Sequence, residues 1–135
     1  MANQIFSKGM LMSDNFTGES FVNFLITDPK GVYDCTVYDV VFSPKSRNFW
    51  HTHPQGQLLL CTDGIGYYQE RGKEARRLQR GDVVEIPPDA EHWHGASPDS
   101  DFTHIGITPS MHKGLTVWCG EVTDEEYNAA TAEQN

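Results

Sequence analysis

Turn residues cut this chain into short pieces, and that limits what it can fold into. Asp28-Pro29-Lys30-Gly31, Ser43-Pro44, Asp63-Gly64, Arg71-Gly72-Lys73, Arg80-Gly81-Asp82 and Pro87-Pro88-Asp89 all combine residues that fix or free the backbone for reversal. Between them lie stretches rich in β-branched and aromatic residues: 21–26, 32–42, 48–53, 57–62, 65–70, 75–79, 83–86, 91–96, 102–108 and 115–122. About ten short strands at such spacing, with no sustained helical period, predict an all-β sandwich or barrel. Only the tail reads as helix. Thr123-Asp124-Glu125-Glu126 has the threonine-then-glutamate spacing of a capping box, and Tyr127-Asn128-Ala129-Ala130 can extend it for a turn or two. At 135 residues, the expectation is a single domain spanning 1–135.

Within that framework the histidines are concentrated. Trp50-His51-Thr52-His53-Pro54-Gln55-Gly56-Gln57 is answered further on by His92-Trp93-His94. Side chains two apart on a strand point to one face, so His51 and His53 can share a single metal ion. Gln57, after a Pro and a Gly that bend the chain, can add a neutral oxygen ligand. His92 and His94 again share a face, and at most one of them is needed as a further ligand; the other would support it or line the pocket. Neutral imidazole suits Zn, Mn, Fe, Ni or Cu.

Ten basic residues against nineteen acidic give a formal charge of −9, with Glu121, Asp124, Glu125, Glu126 and Glu133 among the acidic ones. That balance argues against nucleic acid or an anionic membrane as partner, since either calls for a basic patch. The first eight residues lack the apolar run of a secretory signal, and no stretch approaches a membrane span, so the cytoplasm is the expected compartment. Cys35, Cys61 and Cys119 are far apart, form no C-x-x-C pair and are expected to be buried, reduced thiols. The basic cluster of Arg71, Lys73, Arg76, Arg77 and Arg80 reads as a solvated face pairing with Glu70 and Glu74. His112 reads as a loop residue without a role. Trp50 and Trp93 alternate away from the ligand face, toward outer packing or a subunit contact.

The motifs resemble those of the cupin superfamily, whose fold is a double-stranded β-helix or jelly-roll barrel. The first cupin motif is present as His51-Thr52-His53, then Gln57 in place of the usual glutamate, then Gly64. The second is present as Gly81, Pro87-Pro88-Asp89 with Asp89 in place of glycine, and His92. The likeness is closer still to small bacterial cupins with W-H-T-H-P-x-G-Q, G-D-V-V, H-W-H-G-A, T-H-x-x-I and a terminal V-T-D-E-x-Y, among them manganese-dependent hydroxynitrile lyases. The resemblance implies a barrel with a short C-terminal helix. It implies a divalent transition metal (manganese, or zinc, iron or nickel) held by His51, His53, Gln57 and His92, and His104 as the acid/base beside it. It implies further that Asn48 and Thr108, where the lyases carry threonine and glutamine, stand at substrate-holding positions, and that the protein pairs as a homodimer.

Alternation places Phe102, His104, Gly106 and Thr108 on one face of their strand, and Val40 and Phe42 with Tyr38 on one face of theirs, as a wall of the pocket. His94 is expected at that pocket too. With glutamine rather than glutamate among the ligands, a divalent ion keeps its full charge toward the substrate, which suits oxyanion-stabilising lyase or isomerase chemistry on a small molecule. An isomerase of unsaturated sugar acids is the second enzyme reading, and a barrel that only binds a small ligand is the alternative outside catalysis.

Overall fold

The computed structural model describes residues 4–132; Met1 to Asn3 of the N-terminal segment and Glu133 of the acidic tail lie outside them. The strands are β1 (Met10–Leu11), β2 (Phe16–Thr17), β3 (Ser20–Ile26), β4 (Thr36–Phe42), β5 (Arg47–Asn48), β6 (His51–Thr52), β7 (Gln57–Glu70), β8 (Arg76–Gln79), β9 (Val83–Ile86), β10 (His92–Ala96), β11 (Phe102–Thr108) and β12 (Val117–Trp118). A 3-10 turn (Met111–Lys113) and one helix, α1 (Asp124–Thr131), complete the set. All pairings are antiparallel. One sheet runs β1-β3-β4-β11-β7-β9. The other holds β8, β7, β10, β5 and β2, with β6 and β12 attached beside β10.

The long strand β7 belongs to both sheets and joins them into the barrel. The sequence suggests a break at Asp63-Gly64; the chain instead continues through it as one strand that turns a corner. Gly64 makes the corner possible. Its φ is 76°, and a Cβ there would stand 1.9 Å from the Asp101 carbonyl oxygen, so both backbone conformation and close approach call for glycine. Asp89, where the cupin pattern has glycine, adopts φ 61°, a left-handed conformation that aspartate tolerates better than most residues.

The barrel interior is filled by Val40, Phe42, Leu59, Leu78, Val84 and Phe102, each at most 2% exposed. A second apolar cluster lies outside the barrel wall, where Trp50, Tyr67, Trp93, Val122 and Tyr127 pack under α1. This is where the outward alternation of Trp50 and Trp93 leads: both are covered by the chain's own helix. The capping box forms as the sequence predicts, with Glu126 N–H donating to Thr123 Oγ1 at 3.1 Å and Thr123 N–H to Glu126 Oε1 at 3.0 Å. Arg47 ties the helix down, donating to the Val122 carbonyl at 2.7 Å and to Asp124 at 2.9 Å, and Tyr127 donates to the Ala96 carbonyl at 2.6 Å.

Several expectations are corrected. Residues 32–35 form a bend rather than the start of a strand, with Asp34 in a left-handed conformation there. Of 115–122 only Val117–Trp118 is strand. Cys61 is buried, but Cys35 is half-buried and Cys119 exposed, because the segment around β12 is a rim rather than a barrel wall; all three are free thiols. Lys73 pairs with Glu70 as expected, whereas Arg71 reaches Glu91 and Glu126. His112 lies on the 3-10 turn, where its Nδ1 contacts Asp34, whose carboxyl this contact holds below the usual range. No helix among the described residues is long and apolar enough to cross a membrane.

Candidate metal centre

His51 and His92 face each other directly across the β6–β10 pairing, with ring centroids 4.2 Å apart. His53 follows His51 at the end of β6, and its ring lies 5.0 Å from His51 and 5.6 Å from His92. One nitrogen from each of the three lies within 4.8 Å of the others. The turn after His53, closed by Gly56 N–H donating to the His53 carbonyl at 3.1 Å, delivers Gln57 at the start of β7 into the same cavity wall.

The hydrogen bonds around these rings decide which atoms face inward. His51 Nδ1 lies 2.7 Å from the Phe49 carbonyl and His92 Nδ1 lies 2.8 Å from the Ala90 carbonyl. A carbonyl only accepts, so both Nδ1 atoms carry the proton and both Nε2 atoms present a lone pair. His53 Nδ1 is held by the Thr116 hydroxyl at 3.1 Å. The buried Nε2 atoms of His53 and His92 and the buried Oε1 of Gln57 have no hydrogen-bond partner among the described residues. Buried polar atoms are rarely left so, because each costs free energy on the order of 1–3 kcal/mol. Three imidazole nitrogens fixed from behind, with a carboxamide oxygen on the same wall, fit a divalent metal: this is the pattern in which outer partners orient the ligands.

Electrostatics agree. Burial holds His51 well below its ordinary pKa, helped by repulsion from His92 and His53. Burial, with His92 next, brings His53 down to about 4, although the Gln57 carboxamide beside it pulls the other way. Burial also brings His92 down to about 4. All three are neutral at pH 7, as metal binding demands.

Above these residues opens a cavity of about 250 Å³. The buried Val40, Asn48, His94 and Thr108 line it, as do the more exposed Met12, Phe24, Met111, Leu115 and Trp118. His94 is anchored twice by Asn48: its backbone N–H donates to Asn48 Oδ1 at 2.9 Å, and Asn48 Nδ2 lies 3.2 Å from the ring nitrogens.

A family model described as cupin domain matches residues 38–105, half of the chain. The chain is a cupin. The (R)-mandelonitrile lyase of Granulicella tundricola is 38% identical over 117 residues, covering 85% of this chain and 87% of that protein. The crystal structure of a cupin-like protein from Thermotoga maritima superposes with a TM-score of 0.96 at 53% identity, covering 98% of this cupin and all of the other. A predicted oxalate decarboxylase from the same organism shares the fold alone, at a TM-score of 0.67 and 16% identity over 74% of this chain and 90% of its own.

Of the residues picked out from the sequence, this cupin brings His51, His53, His92 and Gln57 to one wall and Val40, Asn48, His94 and Thr108 to the cavity around it. Two stand one layer further back. Phe42 is fully buried against His94 and His104, at centroid distances of 6.0 and 5.6 Å. His104 is also fully buried, and its Nε2 lies 3.0 Å from His94 Nδ1. It meets the cavity through His94, whose ring stands between. Sequence reasoning missed Thr116, which orients His53, and Trp118, whose ring lies 4.9 Å from His51. Only the pairing of β12 with β6, which puts Trp118 opposite His51, brings them to the site, and no local motif announces it.

Proposed function

We propose that this cupin is a divalent-metal-dependent lyase of the hydroxynitrile type, with manganese as its metal. One observation carries the reading: three neutral imidazoles cluster within metal-binding reach, and the Nε2 atoms of two of them, His53 and His92, with the Gln57 carboxamide oxygen are buried without a partner beside an apolar cavity, in a chain 38% identical to an (R)-mandelonitrile lyase. His51, His53, His92 and Gln57 would hold the ion. When bound there, it supplies a Lewis acid that polarises a substrate oxygen and favours the developing alkoxide.

The remaining steps belong to the chain. Burial, reinforced by the neighbouring His104, keeps His94 well below its ordinary pKa, so it is a neutral base at pH 7. With Nδ1 facing His104, Nε2 would take the substrate hydroxyl proton, the substrate replacing its contact with Asn48 Nδ2 at 3.2 Å. As the oxygen forms its carbonyl double bond, the carbon–carbon bond to the nitrile breaks and its electron pair leaves with cyanide. Cyanide then recovers the proton from His94, giving an aldehyde and hydrogen cyanide. Asn48 Oδ1 holds the His94 backbone in place throughout, accepting its N–H at 2.9 Å, and His104 sets the ring's orientation from behind. Val40, Phe24, Leu115 and Trp118 give the substrate's hydrocarbon group an apolar wall and keep water off the reacting carbon. That wall favours an aryl or alkyl hydroxynitrile over a sugar acid, whose several hydroxyls would find few partners on it.

The test is mandelonitrile cleavage followed by benzaldehyde appearance, in manganese-loaded and chelator-treated protein and in His94→Ala. The expected result is turnover in the loaded protein alone. A rate no greater than that of free manganese would remove the reading.

A further inference from the structure

We propose that Tyr38 is a positioning residue that holds the Gln57 carboxamide with its oxygen, not its nitrogen, toward the metal position; the inference rests on the metal-binding reading above. A glutamine side chain has two faces of opposite character. Its oxygen can ligate a cation and its –NH2 cannot, yet rotating the amide by half a turn exchanges them with almost no change of shape. A glutamate in this place would have no such ambiguity, since both of its oxygens are acceptors. A cupin that uses glutamine therefore needs something to fix the amide.

Tyr38 meets that need. Gln57 Nε2 donates to the Tyr38 hydroxyl oxygen, which leaves Oε1 buried and unpartnered. For the pair to stay in this sense the tyrosine should spend its own proton elsewhere, and Thr108 Oγ1 stands 3.3 Å from the hydroxyl to take it. On this proposal Gln57 donates to Tyr38, and Tyr38, of the two hydroxyls, is the donor to Thr108. The ring is itself held: it lies across Gly106, where a Cβ would come within 2.6 Å of Tyr38 Cε2, and Phe24 packs at 6.3 Å on the cavity side. Gly106 and Tyr38 are direct partners in the β4–β11 pairing, so the aromatic ring occupies the space that a side chain at 106 would fill. Thr108, read from the sequence as a substrate contact, is on this account part of the support for a metal ligand.

The experiment is a double-mutant cycle on Mn(II) affinity, measured by titrating the metal-stripped protein and reading free Mn(II) by its electron paramagnetic resonance signal. Wild type, Tyr38→Phe, Gln57→Ala and the double variant are compared, with circular dichroism to confirm folding. Tyr38→Phe keeps the ring on Gly106 and removes only the hydroxyl; Tyr38→Met is the second hydroxyl-free variant should the first not fold. Tyr38→Phe is expected to weaken binding by about tenfold, the lower end of what loss of a ligand's outer partner costs, and Gln57→Ala, which removes the ligand itself, by at least as much. The double variant is expected to bind no worse than Gln57→Ala alone, because Tyr38 acts through Gln57. The proposal is overturned if Tyr38→Phe binds like wild type while Gln57→Ala is weakened, or if the two losses multiply. Wild type that binds no Mn(II) stoichiometrically would instead bring down the metal-site reading, and the proposal with it.

Discussion

Replacing His104 with glutamine should flatten the dependence of stability on pH between 7 and 5. His104 is fully buried, with ring centroids 5.6 Å from both Phe42 and Phe102, and burial lowers its pKa from 6.5 to about 4. In the unfolded chain the same imidazole titrates near 6.5. The folded state thus binds the proton less readily, so the stability this neutral histidine supports is present above pH 6.5 and is lost as pH falls toward 4. With a folded value of about 4 against 6.5 unfolded, the unfolded chain is nearly all protonated at pH 5 and the folded one about a tenth. The loss between pH 7 and pH 5 is then about 2 kcal/mol from this one group. Glutamine at 104 keeps a hydrogen-bonding group facing His94 Nδ1 and has nothing to titrate. Urea unfolding of metal-free wild type and His104→Gln at the two pH values measures the effect. The drop should shrink by about 2 kcal/mol in the variant, whatever its absolute stability. An equal drop in both proteins would refute the reasoning, since it would place the proton uptake on other groups.

Two further predictions follow from the packing. Thr123→Ala removes the oxygen that accepts the Glu126 amide at 3.1 Å and should cost about 1 kcal/mol in urea unfolding; a change below a few tenths would show that α1 is held by Arg47 and Tyr127 rather than by its cap. Asp39 is buried on the outer side of β4 with one carboxyl oxygen unpartnered among the described residues, and burial raises its pKa from 3.8 to about 6. Stability is therefore lost as pH rises through about 6, and Asp39→Asn should stabilise the protein at pH 7 by on the order of 1 kcal/mol, a gain that vanishes at pH 4. A gain of the same size at both pH values would mean that the charge is not its source.

The parts of the site that lie close in sequence were legible in it. The alternation of His51 and His53, the turn to Gln57 and the second histidine pair at His92 and His94 each follow from strand periodicity, and together with the glycines at 64 and 81 they identify a cupin. What was not legible depends on depth and on long-range pairing. His104 and Phe42 have the inward parity their strands assign them, yet both end a layer behind the cavity wall, because the His94 ring packs against both and stands in front. Parity gives the face and not the distance. Tyr38 was read as one of a row of apolar wall residues, and its hydroxyl matters only because β4 and β11 set it against Gly106 and Thr108 while the turn at Gly56 brings Gln57 to it. Thr116 and Trp118 lie on a rim of almost no regular structure, which no strand pattern could connect with His53 and His51.

The central claim is that one cation sits among three Nε2 atoms and one carboxamide oxygen. Crystals of manganese-replete protein, with anomalous scattering recorded across the manganese edge, test it most directly. The account predicts a single peak about 2 Å from the Nε2 atoms of His51, His53 and His92, with Gln57 Oε1 completing the set and Gln57 Nε2 still turned to Tyr38. A peak liganded elsewhere, ligation through Nδ1, or no peak at this position would contradict it.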